Sequence, residues 1–73
     1  MNTTMVITDV GPPDRWGWRT YHIAKGHGSF TVRSSINGTS FQAFRNGRRF
    51  VPDDYNKVLR LIWERMDDLR NSQ

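Results

Sequence analysis

Phe30-Thr31-Val32-Arg33-Ser34-Ser35-Ile36-Asn37-Gly38-Thr39-Ser40-Phe41-Gln42-Ala43-Phe44-Arg45-Asn46-Gly47-Arg48-Arg49-Phe50 contains two Asn-Gly pairs between runs of alternating apolar and polar residues. Asn-Gly favours a two-residue hairpin of type I′ because both central positions need a positive φ, which these two residues tolerate best. With a type I′ turn at Asn37-Gly38, Ile36 faces Thr39, Ser34 faces Phe41, Val32 faces Ala43 and Thr31 faces Phe44. A second such turn at Asn46-Gly47 pairs Phe44 with Arg49 and Ala43 with Phe50. Both registers place Phe30, Val32, Phe41, Ala43 and Phe50 on one face, and agreement between independent local signals is what a foldable sequence shows. The alternation also puts Ile36 with Phe30 and Val32. Thr31, Arg33, Ser35, Ser40, Gln42, Phe44, Arg49 and Val51 fall on the other face.

Upstream, Trp16-Gly17-Trp18-Arg19-Thr20-Tyr21-His22-Ile23-Ala24 is rich in aromatic and β-branched residues, which predicts a further strand, and Lys25-Gly26-His27-Gly28 a turn after it. Met5-Val6-Ile7, followed by Gly11-Pro12-Pro13-Asp14, reads as an edge strand or a loose arm. Downstream of Pro52, Asp53-Asp54 supplies an N-cap and a negative first turn. Tyr55, Val58, Leu59, Ile62, Met66 and Leu69 then recur at helical spacing, predicting an amphipathic helix of about five turns that ends near Arg70. Leu61 and Trp63 flank this stripe; Trp63 either widens the core under the first strand or is left partly exposed for a partner. The expected fold is α+β: a small antiparallel β-meander of three to four strands with one C-terminal amphipathic helix packed on one face. Its single domain, 1–73, divides into an N-terminal arm or edge strand (1–14), the meander (16–52) and the helix (53–70).

Length and composition narrow the function. Seventy-three residues allow one modest core and little room for a catalytic cleft. The chain has no cysteine, so disulfides, thiolate zinc sites and thiol nucleophiles are excluded. His22 and His27 are the only histidines and have no ligand-spaced companions, so neither a metal nor any other cofactor is expected. No nucleophile motif is present, and the protein reads as a non-enzyme. No basic leader or long apolar run marks the N-terminal segment as a signal peptide or membrane span, and the reading suits a cytoplasmic protein with no membrane partner.

The charge is more informative. Lys and Arg total 11 against 7 Asp and Glu, a formal net charge of +4, and nine of the eleven cations are arginine. Guanidinium forks match carboxylates and phosphates and stack on aromatic rings, so the bias points to recognition of an anionic or mixed partner. Arg45, Arg48 and Arg49 crowd the second hairpin, with Phe44 and Arg33 on the adjoining sheet face. These are the candidate partner-binding residues, together with Val6 and Ile7. That N-terminal run either covers Phe44 or adds a strand to a partner's sheet. The competing reading is a DNA-binding module that lays a three-stranded sheet in the major groove, with Arg33, Gln42 and Arg49 at base edges or phosphates and Lys25 in a glycine-rich turn able to approach a phosphate.

Over nearly the whole chain, from Met1 through Trp16-Gly17-Trp18-Arg19, both Asn-Gly hairpins and the segment Asp53 to Arg70, the sequence resembles small transcription regulators of lytic phages that infect Gram-negative plant pathogens. The likeness lies in length, charge and sequence texture. It implies a protein that binds host bacterial RNA polymerase in the host cytoplasm, inhibits initiation at host promoters and allows antitermination, with nucleic acid a further contact within the complex; the small domain itself is expected to be a monomer. The DNA-binding alternative is broadly similar to the arm-site-binding domains of phage integrases.

Overall fold

The structure, a computed structural model, describes residues 4–71. Five strands, β1 (Met5–Val10), β2 (Arg19–Lys25), β3 (Gly28–Ser34), β4 (Phe41–Arg45) and β5 (Arg48–Arg49), form one antiparallel sheet in sequential order, and α1 (Tyr55–Asn71) packs on one face. The fold is a compact α+β meander with a C-terminal helix. It has more strands than the three to four read from the sequence, because Met5–Val10 pairs with β2 and the short Arg48–Arg49 segment pairs with β4. Of the arm at 1–14, residues 1–3 lie outside the described residues.

The registers explain the core. Thr31 faces Phe44, Val32 faces Ala43 and Ser34 faces Phe41, as the first Asn-Gly pair predicts. Phe44 faces Arg49, and the Phe50 amide donates to the Ala43 carbonyl (3.1 Å), as the second predicts. Because side chains alternate along a strand, these pairings put Phe30, Val32 and Ala43 beneath the helix beside Tyr21 and Ile23 of β2, and all five are buried. Phe50 meets Phe30 edge to face, with ring centroids 5.4 Å apart. From above, α1 inserts Val58 and Ile62. Met5, Ile7 and Val10 of β1 pack at the margin of this core. A bulge at Thr8 shifts the β1 register between Ile7 and Asp9 and returns Val10 to the helix side.

Four details of the sequence reading are corrected. First, Asn46 and Gly47 both have positive φ (54° and 79°), the type I′ pattern, but at the other pair only Gly38 does (69°). There the Ser35 amide donates to Ser40 O (2.9 Å), the Gly38 amide donates to Ser35 O (3.0 Å), and Ser35 Oγ accepts from the amides of Thr39 and Ser40. The loop is therefore longer than a two-residue hairpin but spans an even number of residues, which preserves the register while removing Ile36 from the sheet to 67% exposure. Ser34 takes the buried end position instead, its hydroxyl donating to Ser35 O.

Second, β2 begins at Arg19 rather than at Trp16. Asp14 organises the preceding residues: its amide donates to Trp18 O (2.8 Å), its carbonyl accepts from the Gly17 amide (3.0 Å), and Oδ1 accepts from the amides of Trp16 and Trp18 (2.9 Å each). Third, α1 starts at Tyr55, so neither aspartate lies in its first turn. The Asp54 carbonyl accepts the first helical bond from the Val58 amide, while its carboxylate accepts from Lys25 Nζ at 2.9 Å, tying the end of β2 to the start of the helix. That ammonium holds the Asp54 carboxyl below the usual range. Fourth, of the two readings of Trp63 the structure has the partly exposed one: the residue is 48% exposed and lies beside the β3–β4 loop rather than widening the core under the first strand. Its Nε1 donates to Gly38 O (3.0 Å) and its ring meets Phe41 edge to face at 6.2 Å. Leu61, one side-step round the helix, lines a shallow surface hollow with Met5.

Candidate functional site

The helix covers only one face of the sheet. The other face carries a row running from Asp9 through His22, Thr31 and Phe44 to Arg49, and beside it the row Thr20, Arg33 and Gln42. Pairing alone sets these rows, since residues directly opposite in an antiparallel ladder point the same way. His22 and Arg49 are exposed, while Thr31, Phe44, Arg33 and Gln42 are half-buried. A depression of about 370 Å³ opens there, lined by Thr8, His22, Ser29, Thr31, Phe44 and Asn46 among others. Neither Val6 nor Ile7 covers Phe44. Ile7 points to the helix side, and β1 lies three strands from β4, roughly 14 Å away at about 4.8 Å per strand.

The arginines of the second hairpin divide between two faces. Arg45 and Arg48 are paired and therefore share the helix side, whereas Arg49 pairs with Phe44 on the open side. Arg45 is also engaged within the fold: its guanidinium lies 4.6 Å from the Phe50 ring centroid and 5.9 Å from that of Phe30. Arg48 and Arg49 are exposed and, among the described residues, make no ion pair. The expected single patch is thus corrected to two adjoining points of charge at a fixed turn.

Arg33 is likewise occupied. It donates to Asp14 Oδ2 at 2.8 Å and lies 5.5 Å from the Trp18 ring centroid, fastening the segment before β2 to the open face. Desolvation works to raise the Asp14 carboxyl, but the Trp18 and Trp16 amides and then Arg33 outweigh it and hold the group below the ordinary aspartate range. A carboxylate with a depressed folded value stabilises the fold above its unfolded pKa, about 3.9, and loses that contribution as pH falls through the folded value. Acidification below about pH 4 should therefore release Arg33 and Trp18 locally, read as a change in tryptophan emission ahead of global unfolding. Asp14→Asn should abolish that early step; if emission changes only with the global transition in both proteins, the Asp14 clasp is not the responding element.

Trp18 and Trp16, which the sequence left unseparated, differ clearly: Trp18 is half-buried beneath Arg33, while Trp16 is 71% exposed with the Arg15 guanidinium 5.2 Å from its ring centroid. Lys25 belongs to the Asp54 contact on the helix side, so of the DNA-contact set only Gln42 and Arg49 stay on the open face unpaired by carboxylates. Sequence reading missed the Asp14 clasp, although Asp followed by Gly three residues on is a turn signal. It also missed the Trp63–Gly38 bond, for which no local signal exists.

Among the described residues, no group of three metal-ligating side chains is assembled, and no helix is long and apolar enough to cross a membrane. Comparison with protein-family models, with curated proteins and with solved structures gives no match.

Proposed function

We propose that the protein is a non-enzymatic regulator that acts as a monomer in the bacterial cytoplasm by binding RNA polymerase, inhibiting initiation and allowing antitermination. The observation that carries the binding mode is the sheet face left without a second layer, on which half-buried Phe44 pairs with the exposed, carboxylate-free Arg49 at the end of a rigid type I′ turn. An aromatic flanked by arginine is the composition of interface hot spots, and a preformed turn loses little conformational entropy on docking. The polymerase as partner rests on the whole-chain resemblance described above. Exposed Val6 on the outer strand of the sheet offers a second contact by strand addition. The DNA-binding reading is weaker, because Arg33 and Lys25 already pair with Asp14 and Asp54.

Arg48→Ser combined with Arg49→Ser should leave stability within about 0.5 kcal/mol of the parent, as exposed substitutions usually do. The same change should weaken capture of purified RNA polymerase by about 1 to 3 kcal/mol, the order of charge-assisted hydrogen bonds. Added salt should erode binding of the parent more than of the variant. Unchanged capture by the variant across the salt range would remove the hairpin from the interface. Steeply salt-dependent binding to isolated duplex, with no capture of polymerase, would establish the DNA-binding alternative instead.

A further inference from the structure

At the end of the fold remote from the Lys25–Asp54 contact, the C-terminal half of α1 stands off the start of β2 and the end of β3, leaving an open cleft of about 420 Å³. Tyr21 forms its floor and is buried, yet its hydroxyl is the one buried side-chain polar atom among the described residues that has no hydrogen-bond partner. Burial raises the hydroxyl above its ordinary pKa, and the positive charges of Arg19 and Arg65 oppose that rise; Arg19 lines the cleft together with Arg70. Guanidinium has only donors. Arginine therefore cannot accept the Tyr21 proton, the hydroxyl makes no hydrogen bond, and among the described residues no carboxylate pairs with Arg19, Arg65 or Arg70. A buried donor left in this state is unfavourable, and an acceptor brought to it recovers the loss. The remaining lining is mixed: Met66, Leu69 and Ile36, the last 67% exposed, give it an apolar side, and Ser34, Ser35 and Arg70 a polar one.

We infer that this cleft receives a carboxylate side chain of a partner protein, with an apolar neighbour of that residue seated on Ile36, Met66 and Leu69. The carboxylate accepts from the Tyr21 hydroxyl and from Arg19, with Arg70 completing the positive side of the cleft. The apolar side formed by Ile36, Met66 and Leu69, next to the cationic one, favours an acidic peptide segment over a nucleic-acid phosphate, which has no apolar neighbour to seat there. The inference rests on the protein-binding reading above and names the partner chemistry of a second contact, away from the open sheet face.

Two measurements separate this inference from the polymerase assignment. In amide NMR titrations, the blocked tripeptide acetyl-Leu-Glu-Leu-amide should shift the resonances of Arg19, Ser34 and Ile36 saturably. Its Gln counterpart and inorganic phosphate should bind about tenfold more weakly or not at all, the scale of one charged hydrogen bond. Tyr21→Phe should melt at or above the parent temperature, since it deletes an unsatisfied group, while losing about tenfold in peptide affinity; Arg19→Gln should lose affinity without altering the fold. Equal binding of the Glu and Gln peptides, equal binding of phosphate, or undiminished peptide affinity in both variants would overturn the cleft assignment. In the second measurement, purified polymerase is captured with the same proteins. Parent capture that persists undiminished in both variants overturns the cleft and leaves the polymerase reading standing, whereas peptide binding without any polymerase capture overturns the polymerase reading and supports the cleft.

Discussion

Ile62→Ala should destabilise the protein by about 2 to 5 kcal/mol, the range for removing a large buried aliphatic side chain and leaving a cavity. Ile62 is fully buried and sits with Val58 at the centre of the helix face that meets Tyr21, Ile23, Phe30, Val32 and Ala43. Among the described residues the core cluster consists of these seven buried residues, so there is little surrounding material to collapse into the gap. Small domains have total stabilities at the low end of about 5 to 15 kcal/mol, and this one substitution removes a large part of it. Leu59, which the helical spacing places in the same stripe, is only half-buried, and Leu59→Ala should cost less than Ile62→Ala. Denaturant unfolding followed by circular dichroism measures both. Equal losses, or a cooperative melt of Ile62→Ala near the parent temperature, would contradict the packing of α1.

Gly38→Ala is expected to have the second largest effect, about 2 to 4 kcal/mol, combining the left-handed backbone penalty with overpacking. Gly38 has φ +69°, and a Cβ there would lie 3.1 Å from Trp63 Nε1 and 3.2 Å from Met66 Sδ. Methionine can swing away, but Trp63 is held by its hydrogen bond to the carbonyl of this same glycine. Relief of the contact therefore strains or breaks the bond that pins the β3–β4 loop to the helix. Gly47 provides the internal control. It also has positive φ, at +79°, but nothing lies within 4 Å of a Cβ at that position, so Gly47→Ala should show the backbone penalty alone, about 1 kcal/mol. Similar losses at the two glycines would mean that Trp63 and Met66 do not crowd Gly38. Trp63→Phe separates the terms further: it removes the indole donor while keeping an aromatic against Phe41, and in that background the penalty of Gly38→Ala should shrink.

Much of the fold was legible because its signals are local and mutually consistent. A strand alternates with period two and the helix with period 3.6, so the apolar positions of 30–50 and 55–69 identify their buried faces without knowledge of the rest of the chain. The register of β3 against β4 was also legible, and it survives an error in the turn. Ser35, with its hydroxyl accepting two loop amides, closes a longer loop than Asn37-Gly38 requires, yet the loop retains the parity on which the facing of every side chain depends. The edge strand β1 was ambiguous for a related reason: six residues with a bulge at Thr8 have no clean alternation of their own, and only hydrogen bonds to β2 make them a strand.

What the amino-acid sequence determined by itself was therefore the type of every element but β1, the pairing registers of β3, β4 and β5, and the apolar stripe that α1 lays on the sheet. Tertiary structure decided which polar and aromatic groups are left for function. Arg33 and Lys25 look like free cations in sequence, but Asp14 and Asp54 reach them across separations of 19 and 29 residues. Arg45, Arg48 and Arg49 are nearly contiguous in sequence, but the pleat sends the first two to one face and the third to the other. Tyr21, read as one more strand aromatic, carries a buried hydroxyl without a hydrogen-bond partner at a cleft that the docking of α1 lines with Arg19 from β2 and Arg70 from the helix. Local periodicity fixes which way a side chain points relative to its own element, whereas the partner it meets depends on how distant elements are docked, and that docking is set by the whole core at once.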